Sequence, residues 1–211
     1  MKMPPVKYDV KKQFPDFYKA SANNVEIVDV PEMQFFMIDG HGDPNSAQSF
    51  QDAIATLYAC SYTLKMSFKK MPKGKDYVVP PLEGLWYLEN MAEWSMDAKD
   101  KWNWTIMIRI PDFVPKSEIT KSIETVKQKK REKAPAIDKL RVEEYHEKFS
   151  VQLLHIGPYN AEPPNIQKMH SFAKSKNYIL NGKHHEIYLS DFRKIAPEKL
   201  KTILRQPISK K

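Results

Sequence analysis

The sequence predicts an α+β domain built from a duplicated strand-helix-strand-strand module with pseudo-twofold symmetry. Short segments rich in β-branched and aromatic residues alternate with only a few segments of helical period. The same order of strand, Gly/Pro turn, helix and strand occurs in each half of the chain. Strands interleaved with so few helices favour a mostly antiparallel sheet with helices on one face. A cleft between the two modules is then the expected place for a ligand.

The first half opens with strand patterns at 25–30 and 33–38, which Pro31 interrupts. A turn rich in Gly and Pro follows them. An apolar stripe at helical spacing then predicts one long helix, and its members are Phe50, Ile54, Leu57, Leu64 and Phe68. Two further strands are predicted at 85–88 and 104–110.

The second half repeats this order. An alternating pattern at 140–146 and an apolar segment at 150–156 predict strands, and a Gly-Pro turn follows the second of them. Two prolines at 163–164 mark the start of a helix. An Asn-Gly turn then leads to a strand at 185–189.

These boundaries define the predicted organisation of the chain. Residues 1–24 are charged and interrupted by proline, which indicates a peripheral N-terminal arm. The domain itself is predicted to cover 25–208. Its first module spans about 25–135 and its second about 136–208.

The net charge of +8 and the pI near 9.3 raise the question of a nucleic-acid partner. Much of the excess lies in KQKKREK at 127–133, which follows apolar residues spaced as one helical face. Lysines at a helix C-terminus suit the helix dipole. Because no nucleic-acid-binding motif accompanies the charge, we interpret the run as a solvated helix end and expect no specific nucleic-acid partner.

The sequence also bears on the compartment. A single cysteine, Cys60, cannot form an internal disulfide, which is typical of a reducing compartment. No stretch approaches the roughly 20 apolar residues of a membrane helix, and no apolar run follows the N-terminal lysines. We therefore expect a cytoplasmic protein without a membrane partner, either a monomer or a homodimer.

The strand near the C-terminus contains the main candidate site. Side chains alternate along a strand, so Ile187 and Leu189 share one face and Glu186 and Tyr188 share the other. A carboxylate beside a phenol is a ligand-facing pair if that face is covered. If it is open, the pair belongs to an ordinary solvated sheet face.

Other residues supply candidate walls and partners for a ligand. Tyr145 lies on the alternating strand at 140–146, and Trp86 and Trp104 offer flat apolar surfaces. Trp104 shares its face with isoleucines and fits plain core equally well. Met107 and His155 complete the set of predicted ligand-binding residues.

The sequence favours neither a metal nor a cofactor. His184 and His185 are adjacent in a strand and point to opposite faces, so they cannot easily share one ion with His155. Patterns for serine hydrolysis, phosphate loops and dinucleotide binding are absent from the sequence. We expect a small-molecule ligand and no metal.

Four segments resemble the GyrI-like small-molecule-binding family. They are LLHIGPYNAEPPNI at 153–166, GKHHEIYLSDFRKIAPEKLKTILRQPI at 182–208, PPLEGLWYLE at 80–89 and WNWTIMIRIPD at 102–112. The resemblance runs over about 25–208. It implies two strand-helix-strand-strand modules with a ligand cleft between them and a glutamate at its centre. Glu186 in HHEIYL matches that glutamate.

The HHEIYLSD segment is similar to a stand-alone branch of this family. The resemblance implies either binding of lipophilic cations in an aromatic cage or hydrolysis of strained cyclopropanes in DNA-alkylating compounds, which would detoxify them. For the hydrolase it implies Glu186 as general base, Tyr145 as a polar partner and Trp86, Trp104 and Tyr188 as walls. The alternative is a non-catalytic module that sequesters drugs or modulates a protein partner.

Overall fold

The fold is described by a computed structural model that covers residues 7–72, 74–89 and 98–211. Its helices are α1 (Val10–Gln13), α2 (Pro15–Tyr18), α3 (Gln48–Lys69), α4 (Lys116–Lys129) and α5 (Pro163–Ser175). Its strands are β1 (Glu26–His41), β2 (Leu82–Tyr87), β3 (Asn103–Arg109), β4 (Arg141–Ile156), β5 (Tyr178–Leu180), β6 (His184–Tyr188) and β7 (Lys201–Lys210).

The strands form a single antiparallel sheet in the order β4-β1-β3-β2-β6-β7-β5. Because β4 also pairs with β7, the sheet closes on itself into a barrel-like ring. The predicted α+β class with a mostly antiparallel sheet is confirmed. In the first half β1, β3 and β2 are neighbours in that order, and in the second half β4, β7 and β6 are neighbours in the same order. This shared order is what a duplication predicts.

The strand β1 differs from the sequence prediction at Pro31. The two patterns predicted on either side of the proline are one continuous strand, and Val30 and Glu32 pair with Lys148 and His146 in unchanged register. At this point β1 pairs with β4 alone, because its pairing with β3 begins at Phe35. Pro31 itself has no paired partner in β4, so the missing amide donor of proline falls at a gap in the β1–β4 ladder.

The sheet has two differently covered faces. The helix face carries Trp104 and Glu186 and packs against α3 and α5 through two apolar clusters. The arm face carries Met107 and His185 and packs against the N-terminal segment. Strand alternation assigns each residue to one face, so neighbours in sequence serve different layers.

The N-terminal segment is more closely packed than the predicted peripheral arm. Val10 and Tyr18 are only 1% and 3% exposed, and they pack on Ile187 and Ile203 of the arm face. The helices α1 and α2 have four residues each, which is too short for a helical period to be read from the sequence. Part of the segment is thus an integral cover of the sheet.

The basic run lies where the sequence places it. Its first lysines end α4, whose residues Ile119 and Val126 are buried against α3. Lys130 donates a hydrogen bond to Thr63 of α3 at 2.9 Å. Within the three described stretches, no helix has the length and apolar character needed to cross a bilayer.

Candidate active site

Glu186 and Tyr188 lie side by side on the helix face, as strand alternation predicts. The Tyr188 hydroxyl donates a hydrogen bond to Glu186 Oε2 at 2.8 Å. The Glu186 side chain is only 12% exposed, so this face is covered rather than solvated. Glu186 pairs across the sheet with Gly84 of β2, at the seam where the two halves of the chain meet. The pair therefore lies where a cleft between modules is predicted.

Trp86 fixes the position of the Tyr188 ring. Its indole Nε1–H donates a hydrogen bond to the Tyr188 hydroxyl at 3.2 Å. Gly84 makes this contact possible, since a Cβ there would lie 3.0 Å from Trp86 Nε1 and 3.2 Å from the Tyr188 hydroxyl. Tyr188, predicted as a wall and as the phenol beside Glu186, is thus hydrogen-bonded to that carboxylate.

A second carboxyl group, Glu162, interacts with Glu186. Glu162 directly precedes α5, and the residue is only 4% exposed. Burial, together with the negative charge of Glu186, raises the pKa of Glu162 to about 10. Burial also raises the pKa of Glu186 to about 7, against the opposing effect of the Tyr188 hydrogen bond. Of the two groups, Glu162 therefore holds its proton to the higher pH, and Glu186 is the one that ionises first.

Two buried oxygens beside this pair have no hydrogen bond of good geometry to the described residues, although Thr202 lies close enough to the Glu162 carboxyl to oppose the rise in its pKa. They are Oε1 of Glu162 and Oγ1 of Thr202, and both residues are almost fully buried. Thr202 is the cross-strand neighbour of Tyr188 in the β6–β7 ladder. Buried polar atoms are normally satisfied, so these two are suited to hold a water or a polar group of a ligand.

Aromatic rings surround the hydrogen-bonded group. Tyr159 meets Tyr188 edge-on with ring centroids 5.7 Å apart. On the other side, Trp86 contacts the rings of Phe50 and Trp102 at 5.8 and 5.7 Å. The Nζ atom of Lys99 lies 5.7 Å from the Trp102 ring centroid. Together they give flat apolar surfaces beside a carboxyl pair, with one ammonium at the edge.

Trp104 lies on the same face but packs as core. It is 1% exposed and meets Phe50 edge-on at 5.0 Å. Its ring also covers Gly40, where any Cβ would lie about 2.0 Å from the indole carbons. Trp104 therefore packs as a core residue, which is one of the two alternatives that the sequence left open. Its ring lies behind the aromatic wall and supports it.

The predicted residues Tyr145 and Met107 are not brought together with Glu186. Both lie on the arm face, where Met107 is fully buried and Tyr145 lines a cavity of about 10 Å³ with Glu147 and His185. The alternation of side chains along β4 does not show which of its two faces lies on the same side of the sheet as Glu186, because Glu186 is in another strand. The assignment of Tyr145 as the polar partner of Glu186 is wrong, and Tyr188 has that position.

His155 is buried on the helix face but supports a loop. Its ring nitrogens lie 3.1 Å from the Pro158 carbonyl oxygen and 3.0 Å from Asn165 Nδ2. These contacts tie β4 to the segment that carries Tyr159 and Glu162. His155 thus positions the segment that carries site residues, and both of its ring nitrogens are engaged there.

His184 and His185 do point to opposite faces of β6. His184 Nε2 lies 3.7 Å from Glu186 Oε1, and burial lowers the pKa of His184 to about 3. The ring is therefore neutral and adds a polar edge to the site rather than a charge. Over the part of the chain that the structure describes, no three His, Cys, Asp or Glu side chains are arranged to hold a metal ion.

The arm face contains a buried ionic network directly behind Glu186. His185 Nδ1 lies 2.9 Å from Glu147 Oε1, and His185 Nε2 lies 3.0 Å from Glu83 Oε2. Arg205 binds the other oxygen of Glu147 at 3.0 Å, and the Tyr18 hydroxyl donates to Glu83 at 3.0 Å. The N-terminal segment closes this network from solvent.

Sequence reasoning missed Glu162, Tyr159 and Lys99. All three lie in short turns or directly before a helix, where neither strand nor helix period applies. Glu162 and Tyr159 do fall within the segment at 153–166 that carried the family resemblance. The family resemblance of that segment was the only feature of the sequence that could have identified Glu162 and Tyr159.

The chain thus has a closed antiparallel sheet with a buried glutamate where β2 of its first half pairs with β6 of its second half. The chain belongs to the GyrI-like family, because the model of the GyrI-like small molecule binding domain matches residues 23–209.

Solved structures from Listeria innocua are similar over nearly the whole chain. An uncharacterised conserved protein is 40% identical with a TM-score of 0.85, over 96% of this chain and 100% of that one. Two structures described as hydrolases are 38% identical with TM-scores of 0.81 and 0.83. They cover 96% and 97% of this chain and 100% of their own. No curated protein matches the chain.

Proposed function

We propose that this protein hydrolyses neutral, planar electrophiles, and that its substrates include the strained cyclopropanes of DNA-alkylating compounds. The observation that carries the proposal is the buried pair of Glu162 and Glu186, whose pKa values are pushed apart to about 10 and about 7. Such a pair offers an acid and a base at the same pH. The similar Listeria structures described as hydrolases support a hydrolytic reaction.

The reaction adds one water molecule across the ring. Glu186, as carboxylate, removes a proton from water while the water oxygen bonds to the unsubstituted ring carbon. The cyclopropane C–C bond breaks, and its electron pair moves into the conjugated carbonyl, which becomes a phenol oxygen. Glu162 donates the proton that this oxygen accepts. Proton exchange between the two carboxyl groups then restores the starting state.

The remaining contacts suit these steps. The Tyr188 hydrogen bond stabilises the ionised form of Glu186, and Trp86 holds the Tyr188 hydroxyl in place. The buried Thr202 hydroxyl, beside the Glu162 carboxyl, provides a hydrogen-bonding position for the attacking water. The neighbouring rings provide stacking surface for a planar substrate.

The test is hydrolysis of a cyclopropyl-dienone alkylating agent in H₂¹⁸O, followed by mass spectrometry. We expect ring-opened product with one ¹⁸O atom to accumulate well beyond one equivalent of protein. Glu186→Gln and Glu162→Gln should each lower turnover roughly 10²–10⁴-fold. Glu144→Gln, at an exposed position of β4, is the matched control and should leave the rate unchanged.

The same experiment separates an enzyme from a binding module. A module that only sequesters drugs would bind the compound saturably and return it unchanged. Product limited to one equivalent, with a covalent adduct on the protein, would also contradict hydrolysis. Either result would refute the proposed reaction.

A further inference from the structure

The ammonium of Lys99 is the notable charge at the edge of the site. Lys99 begins a short 3-10 turn, Lys99–Lys101, immediately before β3, and its side chain is partly buried. Its Nζ atom lies 5.7 Å from the centroid of the Trp102 ring, within the range of a cation–π contact. Trp102 in turn packs edge-on against Trp86, which hydrogen-bonds to Tyr188. Lys99 therefore stands on the same aromatic wall as the carboxyl pair.

The charge of Lys99 acts on both carboxyl groups. Burial raises the pKa of Glu162 and of Glu186, and the positive charge of Lys99 works in the opposite direction on both. The pair carries at most one negative charge near neutral pH, because Glu162 keeps its proton. One ammonium is enough to balance that charge.

Lys99 also retains hydrogen-bonding capacity. Across the described ranges 7–72, 74–89 and 98–211, its ammonium forms no direct ion pair or hydrogen bond. An ammonium has three N–H donors and no acceptor, so it suits a carbonyl or oxide oxygen on a ligand. It repels a second cation at the same aromatic surface.

We infer that Lys99 is a specificity-determining residue that directs the site to neutral aromatic ligands carrying an acceptor oxygen, and against lipophilic cations. Its ammonium already supplies the positive charge that a cationic ligand would bring to the glutamate and the aromatic wall. This inference rests on the proposed function in placing the ligand beside Glu186. It adds the class of ligand to that proposal.

The test compares two probes of similar shape, tetraphenylphosphonium, a cation, and triphenylphosphine oxide, which is neutral and carries an acceptor oxygen. Affinities are measured by calorimetry with the full chain. We expect the unmodified protein to prefer the oxide. Lys99→Met, which keeps the length of the side chain, should raise the affinity for the phosphonium roughly tenfold or more and lower the affinity for the phosphine oxide.

Two further variants make the test specific. Lys101→Met removes a charge from an exposed position of the same turn and should leave both affinities unchanged. Adding Glu186→Gln to Lys99→Met should cancel the gain in phosphonium affinity, because the carboxylate that attracts the cation is gone. An unmodified protein that prefers the phosphonium, a Lys99→Met protein with an unchanged ratio, or an equal change in Lys101→Met would each overturn the inference.

The ratio of the two affinities does not depend on turnover. If the ratio inverts in Lys99→Met while no hydrolysis occurs, the ligand class stands and the proposed reaction fails. If hydrolysis occurs while the ratio stays constant, the reaction stands and the role of Lys99 fails.

Discussion

His185 and Glu186 are adjacent in the chain and face opposite layers of the protein. His185 is held between Glu147 and Glu83 under the N-terminal segment, whereas Glu186 faces the aromatic site under α3 and α5. The positive charge of His185 is one of the effects that oppose the rise in the pKa of Glu186. One short strand thus couples a closed ionic network to the carboxyl group of the site.

This relationship predicts a change in stability with pH. Burial lowers the pKa of His185, but the flanking carboxylates of Glu147 and Glu83 outweigh it and raise the pKa to about 9. The folded value lies above the unfolded value of ~6.5, so the stabilisation is complete below ~6.5 and is lost as pH rises through about 9. Chemical denaturation between pH 6 and pH 10 measures this loss.

The control for this effect is His185→Gln, which removes the titrating group. Its free energy of unfolding should be lower than that of the unmodified protein near pH 6, and the difference should shrink toward pH 10. A difference that stays constant over that range would show that His185 is neutral in the folded protein.

Glu162 should have the opposite influence on stability. Burial beside Glu186 raises the pKa of Glu162 to about 10, so the folded protein favours the protonated form. The cost of burying this carboxyl group therefore grows as pH rises above the unfolded value of ~4.3 toward about 10. We expect Glu162→Gln to melt at a higher temperature than the unmodified protein at pH 9, with a smaller difference at pH 5. Equal melting temperatures at both pH values would contradict a buried, protonated Glu162.

Tyr188 and Tyr145 provide a direct test of which phenol serves Glu186. Tyr188→Phe removes the hydrogen bond that favours the ionised carboxylate, so the pKa of Glu186 should rise and the acidic limb of the rate profile should move to higher pH. Tyr145→Phe, on the arm face, is the matched control and should leave the profile in place. The measurement is kcat/KM against pH. A shift in Tyr145→Phe and none in Tyr188→Phe would reverse the assignment.

The proposed hydrolysis should show a bell-shaped dependence of kcat/KM on pH. Activity should rise as Glu186 ionises near about 7 and fall as Glu162 loses its proton near about 10. In Glu162→Gln the remaining activity should lose its alkaline limb, because the group that titrates there is absent. An alkaline limb that persists unchanged would assign it to another residue.

Trp104 tests the boundary between site and core. Its ring fills the space against Gly40 and Phe50, so Trp104→Ala should lower the free energy of unfolding by about 3–5 kcal/mol. The measurement is denaturant unfolding alongside ligand affinity in the same buffer. A variant of normal stability with impaired ligand binding would place the ring in the site instead.

Local patterns in the sequence were sufficient to predict part of the structure. The two-residue period of a strand places Glu186 and Tyr188 on one side and Ile187 on the other, and the structure confirms this assignment. The continuity of β1 across Pro31 could not be predicted the same way. It depends on how β1 pairs with β4 on both sides of the proline, and that is a property of the assembled sheet.

The sequence by itself determined the fold class and the side of β6 on which Glu186 lies, because hydrophobic period and turn chemistry act over a few residues. The central position of this glutamate is what the family resemblance implies. Only the tertiary structure decided which groups meet that glutamate. Glu162 and Lys99 reach it from turns far apart in the chain, and Tyr145 is kept from it by the thickness of the sheet. Contacts of this kind follow from strand pairing and closure of the ring, which bring together residues that no local period relates.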